Sequence, residues 1–177
     1  VSINDEIVHG IPRQDRTLTE GDIVGIDIGM RWPAFAKAPA GKPATKSWKG
    51  GASQSRNLAI SKHPEGLCTD MAMTIGVEKI SADAERLMRV TREALDIGIR
   101  AIRPGARTGD VGHAIQTHLE RHRYGIIREL AGHGVGYILH EEPFIPNFGA
   151  PGTGPELLEG MVLAIEPMAT LGRAAIT

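Results

Sequence analysis

The sequence predicts an α+β domain in which helices lie on a curved, mostly antiparallel sheet, and three observations carry that prediction. Residues 23–30 and 69–77 alternate with period 2, residues 83–122 place apolar side chains at helical intervals, and strand-like patterns return from residue 124 onward.

Taken in order, residues 2–12 (SINDEIVHGIP) carry a turn-like Asn4-Asp5 and a Gly-Ile-Pro stop, which suits a short hairpin. A turn over 18–22 feeds the first long strand. Val24, Ile26, Ile28 and Met30 share one face of it, and Gly25, Asp27 and Gly29 share the other. An acid between two glycines on its own face has empty space around it. The strand 69–77 repeats the arrangement, with Met71, Met73, Ile75 and Val77 on one face and Asp70, Ala72, Thr74 and Gly76 opposite. A helix over 83–102 presents Ala84, Leu87, Met88, Thr91, Leu95, Gly98 and Ile102, and stops at Pro104-Gly105. Thr108 is expected to cap a second helix reaching about His122, with Val111, Ala114, Ile115 and Leu119 inward. Residues 124–130 read as a strand, 132–136 (GHGVG) as a glycine-rich turn, and 161–168 as a further strand.

Residues 31–66 break the pattern. This stretch holds Pro33, Pro39, Pro43 and Pro64, five Lys and two Arg against the lone acid Glu65, a net charge of +6 that leaves −7 for the rest of the chain. Structureless stretches of that length are uncommon inside compact domains, so a basic insertion without a fixed structure is expected. A second reading lets Lys37, Lys42, Lys46, Lys49, Arg56 and Trp48 touch ribosomal RNA.

Composition bounds the function. With 177 residues, 41% apolar and a net charge of −1, the chain suits one ordinary domain and offers no global charge argument for nucleic acid or anionic lipid. One cysteine allows no internal disulfide, and no run approaches the roughly 18 apolar residues of a membrane span, so a reducing, cytoplasmic setting is expected. The expected oligomeric state is a monomer. Val1 opens directly on a patterned segment without a targeting peptide, which points to a processed start or an excerpt.

Asp27, Asp70, His133 and Glu166 are candidate metal ligands on strands or strand-adjacent turns. Carboxylates on apolar strands need a partner, because burying an unpaired charge costs several kcal/mol, and a divalent cation supplies the missing charge. Three carboxylates and one imidazole favour Mn, Fe, Co or Mg coordination over a thiolate-dominated zinc site. Several carboxylates can also bridge two cations, an arrangement suited to amide hydrolysis. His140 and His9 are candidates to donate a hydrogen bond to an oxyanion or to orient a substrate amide.

The blocks SINDEIVHGIP, DIVGIDIG, TDMAMTIGV, GHGVGYILHEEP and AIEPM, in that order, resemble the type I methionine aminopeptidases of the pita-bread metallopeptidase family. The resemblance covers most of the chain outside residues 31–66. It implies a pita-bread fold, incomplete at both ends, and a dinuclear centre of two divalent ions (Co, Mn, Fe or Zn) held by Asp27, Asp70, His133 and Glu166. It further implies that His9 contacts the substrate amide, that His140 stabilises the tetrahedral intermediate, and that Glu166 also moves a proton. It also places Leu139 at a wall of the methionine pocket. The substrate implied is the N-terminal peptide of nascent proteins. The family has a further glutamate ligand beyond the position of Glu166, and this chain ends at Thr177, so a single partial catalytic domain over 1–177 is expected. Two alternatives stay open: an Xaa-Pro aminopeptidase of the same fold, and a non-catalytic binding member of it.

Other polar residues read more plainly. His118 and His122 are four apart on the second helix, but HLERH lacks the acid directly after the first histidine, and with Arg121 and Arg123 alongside it reads as a solvated face. Cys68 reads as a buried, inert thiol.

Overall fold

The computed structural model describes residues 1–32 and 66–174, so the insertion expected over 31–66 lies outside the described residues except at its ends. Strand β1 (Ser2–Ile3) pairs with β2 (Ile23–Trp32), which pairs with β3 (Leu67–Gly76), and both pairings are antiparallel. The expected hairpin within 2–12 is replaced by this pairing. Asn4 receives a backbone partner from β2, its N–H donating to the Ile23 carbonyl at 2.9 Å, and its side-chain oxygen accepts the Ile23 N–H at 2.9 Å. β2 also takes in Arg31 and Trp32, expected in the insertion, because the ladder continues opposite Cys68 and Leu67.

Helix α1 (Ala82–Ala101) and helix α2 (Thr108–Arg121) follow, within a residue of expectation. The Ser81 hydroxyl accepts the Ala84 N–H at 3.1 Å and so caps α1. For α2, the expected cap Thr108 is instead the first helical residue, fully enclosed; Arg107 is the cap, and the Asp110 carboxylate accepts its N–H at 2.8 Å. The buried stripe of α1 is Val90, Ala94 and Gly98; of these only Gly98 lies on the face read from the sequence, whose Leu87, Met88, Thr91 and Leu95 are partly buried and whose Ile102 is exposed. A Cβ on Gly98 would stand 2.9 Å from Ile115 Cδ1, so this position lets α1 and α2 approach closely.

The remaining strands are short: β4 (Gly125–Ile126) pairs with β8 (Ala169–Thr170), and β5 (Ala131–Gly134) is the middle strand between β6 (Glu141–Pro146) and β7 (Leu163–Ala164), all antiparallel. The strands expected over 124–130 and 161–168 each survive only as two-residue pieces. The core joins helices to strands through Val90, Val111, Ile115, Leu119, Ile126 and Ile145. Truncating one of its large members, such as Ile115 to Ala, costs about 2–5 kcal/mol.

Among the described residues, nothing covers the apolar face of the β1–β2–β3 sheet. Ile28, Met30, Met71 and Met73 are 58%, 55%, 67% and 46% exposed. An apolar surface of this extent on one face of a sheet is what a covering layer would bury. Among the described residues, no helix is long and apolar enough to cross a membrane.

Candidate metal centre

The first element of the site is the β2–β3 ladder. Gly29 stands opposite Asp70 and Asp27 opposite Ala72, so Asp27 and Asp70 share a face as diagonal neighbours. The period-2 reading of both strands is thereby met in three dimensions. The second element is β5. The Cys68 N–H donates to the Gly136 carbonyl at 2.6 Å and ties β3, two residues from Asp70, to the chain leaving β5. Cys68 is buried, as expected.

β5 is a strand where a glycine-rich turn was expected, and the reason lies across the sheet. A Cβ on Gly132 would meet the Ala164 carbonyl oxygen at 2.3 Å, and one on Gly134 would meet the Glu142 carbonyl oxygen at 2.4 Å. The two glycines serve close backbone packing on either side of His133, not a change of chain direction. His133 pairs with Ala164, and Glu166 lies two residues further on.

His133 is almost fully enclosed. Its Nδ1 lies 2.8 Å from the Gly134 carbonyl oxygen, which can only accept, so Nδ1 carries the proton. Nε2 is then left facing Asp70 Oδ2 at 3.4 Å and Glu166 Oε1 at 3.1 Å. A neutral imidazole would aim a lone pair at two carboxylates, an arrangement that needs a proton or a cation between them. Burial pushes the Glu166 carboxyl above its ordinary value; His133 opposes that shift, and the negative charges of Asp70 and Asp27 add to it.

These spacings fit a divalent ion. Ligand atoms at about 2.0–2.1 Å on the corners of a tetrahedron lie roughly 3.3 Å from one another. Asp70, His133 and His140 each bring a donor atom within 4.8 Å of the others, and the two histidine rings meet edge to face at 4.3 Å between centroids. Asp27 and Glu166 both stay outside that group. Asp27 is exposed but close enough for its charge to act on Glu166, and the Glu166 carboxylate reaches only His133 Nε2 among the described residues. His140, expected to contact substrate and not metal, falls inside the group.

The outer residues are placed unequally. The loop bearing His140 is held by Glu141, whose carboxylate accepts the Ile138 N–H at 2.8 Å. Leu139 lies over Gly29, where a Cβ would meet its Cδ1 at 3.0 Å, and so forms an apolar wall on the Asp27 face. His9 is exposed, with φ 54°, on a segment anchored by the Gly10 N–H to Ser2 Oγ at 3.2 Å. Among the described residues, no hydrogen bond or ion pair joins His9 to the other candidates. Asn147, unnoticed in the sequence, is completely buried and donates from Nδ2 to the Glu166 carbonyl at 2.7 Å, fixing the backbone that carries the carboxylate. Its sequence signal is no more than a polar residue straight after strand β6.

The chain is similar to proteins of known family. The model of Metallopeptidase family M24 matches residues 36–175. Methionine aminopeptidase 1 of Bacillus subtilis is 40% identical over 172 residues, covering 97% of this chain and 56% of the relative. The crystal structure of a Thermotoga maritima methionine aminopeptidase superposes with a TM-score of 0.79 at 38% identity, covering 99% of this chain and 58% of that one. A prolidase from Pyrococcus furiosus shares the fold, at a TM-score of 0.62 and 22% identity over 87% of this chain and 35% of its own. The chain thus spans a little over half the length of the methionine aminopeptidases it matches.

Proposed function

The chain belongs to metallopeptidase family M24, and on that premise we propose that it carries the metal-dependent chemistry that removes N-terminal methionine from nascent proteins. The observation that carries the reading is the buried His133 Nε2 set between the carboxylates of Asp70 and Glu166. Membership implies use of divalent metal ions. We take the number to be two, drawn from Co, Mn, Fe and Zn, with Asp27, Asp70, His133 and Glu166 as their ligands.

Divalent ions bound there would supply Lewis acidity and make water acidic enough to attack at neutral pH. The protein groups then divide the remaining work. Glu166, whose Oε1 faces His133 Nε2 at 3.1 Å, would accept a proton from the attacking water and return it to the leaving amine. His140, packed on His133, would donate to the oxygen of the tetrahedral intermediate, and His9 would contact the substrate amide. Leu139 would line the pocket for the methionine side chain. A monomer in the cytoplasm, where nascent chains emerge, is the setting proposed, and residues 31–66 remain a basic insertion in an otherwise single catalytic domain.

Incubation of the Mn(II)- or Co(II)-loaded chain with a Met-Ala-Ser peptide and with an Xaa-Pro peptide tests the proposal. Release of free methionine that disappears in Asp70→Ala supports it. Preference for the Xaa-Pro peptide assigns the proline-directed activity instead, and metal binding with cleavage of neither peptide assigns a binding role.

A further inference from the structure

A second group of metal-type donors lies between the helices. Glu93 on α1 and His118 and His122, on and just after α2, each bring a ligand atom within 4.8 Å of the others, and none of them belongs to the centre around His133. The solvated face expected for HLERH is not what α2 presents: only 14% of the His118 side chain is exposed, because α1 packs across it. We propose that Glu93, His118 and His122 form a second site for a borderline first-row transition-metal ion of the Zn(II) class, pinning α1 to α2.

Four observations carry it. His118 Nε2 is buried without a hydrogen bond and faces Glu93 Oε2 at 3.4 Å, close to the roughly 3.3 Å edge of a tetrahedron of ligands at zinc distances. His122 follows at i+4, which sets both imidazoles on one side of the helix; the ring centroids are 4.9 Å apart. Arg89 Nη1 holds the other Glu93 oxygen, Oε1, at 2.9 Å and so orients the carboxylate with Oε2 toward His118. The close approach at Gly98 and Ile115 fixes the helices that carry the three ligands.

The donor set selects the ion. Two imidazoles and one carboxylate suit Zn(II), Cu(II), Ni(II) or Co(II) and not the all-oxygen shells of Mg(II) or Ca(II). Three protein ligands leave at least one coordination position to solvent in a four-coordinate ion.

The competing account is a simple ion pair between Glu93 and a protonated His118, and it predicts no metal binding. The test is Zn(II) titration, by calorimetry and chelator competition, of the untagged chain carrying Asp70→Ala and His133→Ala, so that the other centre is disabled. One equivalent of Zn(II) is expected, with a rise in thermal midpoint on loading. Adding His122→Gln, a partly exposed position just past the helix end, should weaken binding by roughly 100-fold or more, since even outer-shell partners are worth 10–100-fold. Glu93→Gln should do the same, with helix content by circular dichroism unchanged. Absence of Zn(II) binding in the disabled background overturns the proposal. So does an unchanged equivalent in both added variants.

Discussion

Gly29 stands directly across the ladder from Asp70, which fixes Asp27 as a diagonal neighbour of Asp70 on the same face. Without a side chain at position 29, nothing on β2 stands between the two carboxylates. Ions shared by both acids would couple them energetically. In a double-mutant cycle, Asp27→Asn and Asp70→Asn should each weaken Mn(II) binding, with a combined loss smaller than the sum. Additive losses would place the two acids at independent sites.

The cross-strand contacts of Gly132 give a sharper stability test. A methyl group there would sit against the Ala164 carbonyl oxygen, so backbone must move. Gly132→Ala should lower the free energy of unfolding by about 1–3 kcal/mol in urea melts. Gly172, with nothing near its would-be Cβ, is the control and should tolerate Ala within about 0.5 kcal/mol.

Asn147 anchors Glu166 from behind. Asn147→Ala leaves the Glu166 carbonyl without its donor in a buried setting, which should cost about 1–3 kcal/mol. Because the same bond positions a proposed ligand, Mn(II) affinity should fall by about 10–100-fold. Stability loss with unchanged affinity would limit Asn147 to packing.

Asp110 gives a pH signature away from the metal centre. Backbone N–H groups of Arg107 and Gly152 hold its carboxyl below the ordinary 3.8. A depressed folded-state value means that the unfolded chain binds the proton more readily. The contribution is therefore present above pH 3.8 and is lost as pH falls through the folded value. Asp110→Asn should lower the thermal midpoint at neutral pH and flatten its decline on the acid side. Parallel curves for the variant and the parent would contradict this.

Much of this arrangement was legible in the chain because it is local. One-face patterning in β2 and β3 predicts which side each Asp takes, and the turn residues and period of α1 and α2 predict both helices to within a residue. What escaped was non-local. The glycines around His133 read as a turn because a lone strand does not reveal that Ala164 and Glu142 press against its backbone. His118 read as solvated because Arg121 and Arg123 are its neighbours in sequence, whereas α1 is its neighbour in space. Strands of two residues, such as β4, β7 and β8, are too short to show any period. Asn147 is identified by its partner, nineteen positions away, and not by its own surroundings.

The enclosed His133 Nε2 and the carboxylates facing it are proposed to hold a divalent cation. Calorimetric titration of Mn(II), an ion suited to this oxygen-rich centre, into the parent chain and folded His133→Ala is the most direct measurement. Tight binding by the parent, weakened by roughly 100-fold or more in the variant, is the result predicted. Superimposable isotherms for the two proteins would contradict it.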